Sequence, residues 1–201
     1  MTGEHSCRDK KLAALNQEHV LPLNDLVRRW RRRWPDRTIP WFDPDDGGIG
    51  ATVLLLMEAP GPRTAAAGED GFCSEDNDDP TARAIRTVRA SSGLVRASYL
   101  KWNIVPWALL HGDGGWRSPR PADLEQSPEL LSELLPLLTE LRLVVTAGRP
   151  ALHGWTRHQS LHVDRVIPLL AVPHPSQRNT AARAESRLRL ENAFAFAAAL
   201  T

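Results

Sequence analysis

Four short, predominantly apolar stretches, at 52–57, 99–105, 143–146 and 165–172, recur along the chain with helix-like segments between them. The Val-Leu-Leu-Leu run in the first carries apolar side chains at every position, so a strand built from it has no face to offer to water. Strands of this kind that alternate with helices need cover on both sides. The pattern therefore predicts an α/β chain: three α/β/α layers around a central, mostly parallel four-stranded sheet.

The intervening segments carry helix signals. Leu23, Leu26, Val27, Trp30 and Trp34 fall at three- and four-residue spacing and predict a helix over 23–34 with one apolar face. Asp79-Pro80 is an N-cap and first-turn pair that opens a helix to about Ser92, with Gly93 after it. Ser127-Pro128 opens a Leu-rich helix to 141, Gly148 begins a short one to about Trp155, and the closing helix runs over 180–200. The loop 58–79 reads as long and irregular. No internal repeat or linker divides the chain, so a single domain is expected over 1–201, with 1–50 a helical extension and loop and 51–201 the core.

Of the 201 residues, 42% are hydrophobic and 24% charged, which excludes disordered and fibrous classes. No apolar run reaches the roughly 18 residues of a membrane span, and 1–11 lacks the apolar stretch of a secretory signal, so a cytoplasmic location, no membrane association and a monomer are the expectations. The net charge is +1, but the charges are segregated: six arginines lie between Arg28 and Arg37, and acids concentrate at 43–46 and 69–79. Only Lys10, Lys11 and Lys101 are lysines. The arginine run reads first as a solvated helix face and second as a DNA contact. Two cysteines, Cys7 and Cys73, cannot supply a four-cysteine site, and the histidines lack metal-ligand spacing to a carboxylate, so neither metal nor cofactor is expected.

In parallel sheets, ligands bind beyond the carboxyl ends of the strands. Three strand ends here carry unusual polar sequences: Met57-Glu58-Ala59-Pro60-Gly61-Pro62 after the first, Asn103 with Pro106-Trp107 at the second, and His174-Pro175-Ser176-Gln177-Arg178-Asn179 after the fourth. An acid, an amide and an imidazole would converge at one edge. Taken singly, each has a plain structural reading: a solvated carboxylate, an amide bonded to backbone, a turn histidine.

The two end motifs in this order resemble the uracil-DNA glycosylase superfamily. Glu58-Ala59-Pro60-Gly61 matches the GEAPG variant of its first motif except that Met57 replaces the leading glycine. His174-Pro175-Ser176 with Arg178 and Asn179 is close to the HPSPRN form of its second. Asn103 in Trp102-Asn103-Ile104-Val105-Pro106 looks like the asparagine of the middle strand, and the resemblance spans about 52–199. Superfamily members with GEAPG commonly hold an iron-sulfur cluster on four cysteines, which this chain cannot build.

The resemblance implies a DNA glycosylase of base excision repair, with DNA, single- or double-stranded, as partner. Glu58 would orient water or stabilise positive charge on the sugar, and His174 would donate to uracil O2 as the base departs. Asn103 would accept from N3–H and donate to O4. Phe72 is the expected platform for the flipped base, with Ala59 and Pro60 lining the base site. Gly61, Pro62 and Arg63, and Pro175, Ser176, Gln177, Arg178 and Asn179, would press on the DNA, Arg178 filling the gap left by the flipped nucleotide. Two other readings stand beside this one: a glycosylase for another base, such as hypoxanthine or a modified base of foreign DNA, and a non-catalytic DNA-binding member.

Overall fold

The structure is a computed structural model that describes residues 2–111, 115–163, 165–175 and 183–200. Its centre is a parallel sheet of β2 (Val53–Met57), β4 (Tyr99–Asn103), β5 (Leu143–Ala147) and β6 (Leu169–Val172), in the order β4-β2-β5-β6. Between β2 and β5 the order reverses direction, which opens a crevice at their carboxyl ends.

Alternate residues of each strand feed two separate cores. Leu54, Leu56, Leu100, Trp102 and Val144 pack on one face with α2 (Leu21–Arg33), α5 (Ser127–Leu134) and α6 (Arg149–Leu161). Val53, Leu55, Met57, Tyr99 and Val145 pack on the other with α4 (Pro80–Ser92) and α7 (Arg183–Ala198). The three layers expected from the doubly apolar strands are present. Asp79 caps α4 by accepting from the Ala82 N–H at 2.8 Å, and Gly93, at φ +81°, ends that helix.

Elsewhere the boundaries differ for local reasons. The last strand begins at Leu169 rather than 165, because Pro168 has no N–H to give to the ladder and Arg165 turns its guanidinium to the carbonyls of Leu138, Thr139 and Leu141. The second strand stops at Asn103, two residues early. Helix α5 gives way to a 3-10 turn at Leu135, ahead of Pro136, whereas α6 continues six residues past Trp155. His158 supports that extension from inside, buried with its Nδ1 3.1 Å from the Pro128 carbonyl oxygen.

Four elements were not expected: α1 (Thr2–Ala13), the short α3 (Pro62–Ala66) within the 58–79 loop, and β1 (Trp41–Phe42) and β3 (Phe72–Cys73), which form a second parallel pair. The pair ties the N-terminal region to the core. Phe42 stacks on Trp102 with ring centroids 3.6 Å apart, and the buried Asn24 of α2 accepts from the Phe42 N–H at 3.0 Å. The charge runs also find each other. Lys11 of α1 reaches Asp43, Asp45 and Asp76, Arg96 reaches Asp43, Asp46 and Asp76, and Arg89 pairs with Glu75. Glu75 and Asp76 of the acidic loop thus join Asp43 and Asp46 as the acid half of an ion network. In the arginine helix, Arg31 lies over the Trp41 ring at 3.9 Å and Arg33 pairs with Glu129 and Glu133, so part of that run is used inside the chain.

Candidate active site

The last rung of the β2–β4 pairing sets Met57 opposite Asn103, and pairing runs on past it: Ile104 N–H donates to Met57 O at 2.8 Å and Val105 N–H to Glu58 O at 3.1 Å. Glu58 is thereby held at the mouth of the β2–β5 crevice. Gly148, at the end of β5, completes the seat. A Cβ on Gly148 would fall 2.2 Å from Glu58 Oε1, so a side chain there would push this carboxylate out of its place. Gly148 also has φ +96°, a conformation that other residues rarely adopt. Its position at the start of α6 puts the carboxylate by the positive end of a helix.

Two residues beyond β6, half-buried His174 stands between Pro173 and Pro175. It lines three neighbouring cavities. One, of about 200 Å³, is shared with Met57, Ala59, Pro60, Cys73, Lys101 and Asn103. Another, of about 280 Å³, is shared with Glu58, Pro60, Thr81 and Trp116. The third runs past Glu58 and Gly148 toward Arg149 and Arg189. His174 therefore stands between the carboxylate and the amide. The 200 Å³ cavity lies below the roughly 300–1,000 Å³ of drug-sized sites and is on the scale of one heterocycle.

Asn103 is 6% exposed, and its Nδ2 donates to Cys73 Sγ at 3.4 Å. Burial pushes the Cys73 thiol up to about 11 against the pull of the Lys101 ammonium, so it is a neutral thiol at neutral pH. Gly61, Pro62 and Arg63 form the exposed lip of the same cavity at the start of α3. Phe72 is not brought there. Its ring is 5% exposed within the core on the α2 side and borders a separate pocket with Lys11 and Arg63, while its neighbour Cys73 lines the Asn103 cavity. Pro175 is the last described residue of the second motif; Ser176, Gln177, Arg178 and Asn179 lie outside the described residues.

A carboxylate, an amide and an imidazole thus lie at the carboxyl edge of a parallel sheet, His174 lining one cavity with Asn103 and two with Glu58. The family model of the Uracil DNA glycosylase superfamily matches residues 44–197. The chain belongs to the uracil DNA glycosylase superfamily. Among solved structures, the crystal structure of wild-type Pedobacter heparinus SMUG2 is similar at 13% identity with a TM-score of 0.55, covering 92% of this chain and 85% of that one. No curated protein matches the chain significantly.

Membership in the superfamily supports a DNA glycosylase, with DNA as substrate. Three neighbours of the site escaped sequence reasoning. Gly148 shows its purpose only once Glu58 is packed against it. Lys101 shares a strand face with Asn103 two residues on; period-two alternation gives that shared face, but only packing shows that it borders a cavity. Trp116 comes to the Glu58 cavity from the 110–119 loop, which carries no periodic signal.

Proposed function

We propose that the protein is a monofunctional DNA glycosylase that hydrolyses the N-glycosidic bond of uracil, or of a related deaminated base, in DNA. The observation that carries this reading is His174 lining both the Glu58 cavity and the Asn103 cavity. A nucleotide turned out of the stack would put its base against Asn103 and its sugar toward Glu58, with His174 between them.

As the C1′–N bond breaks, its electron pair moves onto the base and positive charge develops on the sugar. Glu58 faces the sugar and orients the water whose oxygen bonds to C1′. His174 donates to the base oxygen on which negative charge grows. The proton given up by water balances the anion of the departing base. Asn103 accepts from N3–H and donates to O4. Cytosine presents the opposite polarity at both atoms, so the same amide orientation meets two mismatches. The lip at Gly61, Pro62 and Arg63, with 175–179 opposite, would hold the flanking phosphates, and Arg178 would fill the gap in a duplex.

Oligonucleotides carrying one uracil, hypoxanthine, xanthine or mispaired thymine, single- and double-stranded, test this by mass spectrometry of the free base and by strand integrity. The reading requires free uracil and an uncut abasic strand. Release of hypoxanthine alone would overturn the uracil assignment, and binding without release of any base would overturn hydrolysis.

A further inference from the structure

Lys101 is the anomaly of the site. It is 8% exposed, nearly as buried as Lys11 of the ion network, yet it is held quite differently. Lys11, 5% exposed, sits among the carboxylates of Asp43, Asp45 and Asp76. The Lys101 ammonium donates to a single backbone carbonyl, Ser74 O at 3.0 Å, and among the described residues no carboxylate pairs with it. Burying an ammonium is costly unless it is paired and fully hydrogen-bonded. This one keeps two N–H groups without a partner among the described residues, beside Cys73 and on the same strand face as Asn103, in the wall of the base cavity.

Resting on the function proposed above, we propose that Lys101 is a substrate-reading residue whose ammonium donates to an exocyclic oxo group of the flipped base, such as O4 of uracil, and offsets part of the negative charge that grows on the departing base. The ligand class is a base with an oxo group where its undeaminated parent has an amino group. The amide of Asn103 can turn over and present cytosine with a matching edge, but an ammonium has three donors and no acceptor, so no rotation suits an exocyclic amino group. Lys101 thus supplies discrimination that Asn103 alone lacks. In the hydrolytic step it forms and breaks no covalent bond: the C1′–N electron pair passes to the base, water supplies the new C1′–O bond, and the ammonium stays protonated.

The test is single-turnover base release by wild type, Lys101→Met and Lys101→Gln from oligonucleotides carrying uracil or 5-fluorouracil, whose anion is the better leaving group. A hydrogen bond to a charged group is worth roughly 10- to 100-fold in rate. We expect losses of that order on uracil in both variants and a clearly smaller loss on 5-fluorouracil. Equal losses on the two bases would reduce Lys101 to a structural prop, and unchanged rates would remove it from the site. A second measurement needs no variant. The chain has three lysines, so ¹³C-lysine labelling gives few enough signals to follow Lys101 in the intact protein on binding an oligonucleotide with uncleavable 2′-fluoroarabino-uridine. A shift of the Lys101 signal larger than with the same oligonucleotide lacking a base at that position is expected; an identical response to both would overturn the contact. If wild type releases no base from either oligonucleotide, the parent reading fails; if wild type is active and the variants match it, only the lysine assignment fails.

Discussion

Asn103, Glu58 and His174 could be read from the sequence because each is a polar residue at the end of an apolar strand, where the fold class alone says ligands bind. Lys101 and Cys73 could not. A lysine inside a strand reads as a surface residue until packing shows that both sheet faces are covered, and Cys73 reaches Asn103 only through the β1–β3 pair. Phe72 shows the reverse. Its residue type suits a stacking platform, but alternation along a two-residue strand sends its ring into the core and leaves Cys73 at the cavity. At this scale, Asn103→Asp should weaken discrimination against cytosine, since a carboxylate accepts from the cytosine amino group and has lost the donor to uracil O4. Relative release rates on uracil and cytosine substrates check this; an unchanged ratio would mean that Asn103 does not read the base edge.

Among the elements, the four central strands were legible because apolar runs on both faces leave one architecture, and α4 because its cap and stop residues bracket it. The β1–β3 pair is too short for any period to be seen, and α1 is mostly polar, held by what Lys11 meets after folding. The ion network makes that docking measurable. Burial alone would raise the Asp76 carboxyl, but hydrogen bonds and charge from Arg96 and Lys11 outweigh it and hold Asp76 well below the ordinary carboxylate range. A depressed carboxylate adds stability that is present above its unfolded pKa, near 4, and fades as pH falls below that value. Lys11→Met strands the buried Asp43 with Arg96 as its remaining cation. Removing one member of a buried pair costs about 3–5 kcal/mol, and the surviving Arg96 contact places the expected loss near the low end, at about 3 kcal/mol. Urea unfolding at pH 7 should show that loss and a smaller one at pH 3, where the carboxylates of the unfolded chain take up protons; a loss under about 1 kcal/mol at pH 7 would mean the network does not hold α1 to the core.

Across the whole molecule, the family region 44–197 contains the sheet and all three strand-end motifs, while α1, α2 and β1 precede it and pack into the same core as Trp102. This N-terminal region braces the wall of the Asn103 cavity: β1 aligns β3, β3 carries Cys73, and Cys73 meets Asn103. The sheet reversal between β2 and β5 fixes where Glu58 and Gly148 meet, and the end of β6 brings His174 alongside. On the proposed function, Glu58 and His174 stabilise opposite ends of a charge separation as a base leaves the sugar. Single-turnover uracil release by Glu58→Gln and His174→Ala, with folding checked by circular dichroism, tests it most directly. Loss of a preorganised charge-stabilising group costs roughly 3–4 kcal/mol of barrier, so each variant should be slowed a few hundredfold while still binding the oligonucleotide; rates within about threefold of wild type in both, less than 1 kcal/mol of barrier, would contradict the claim.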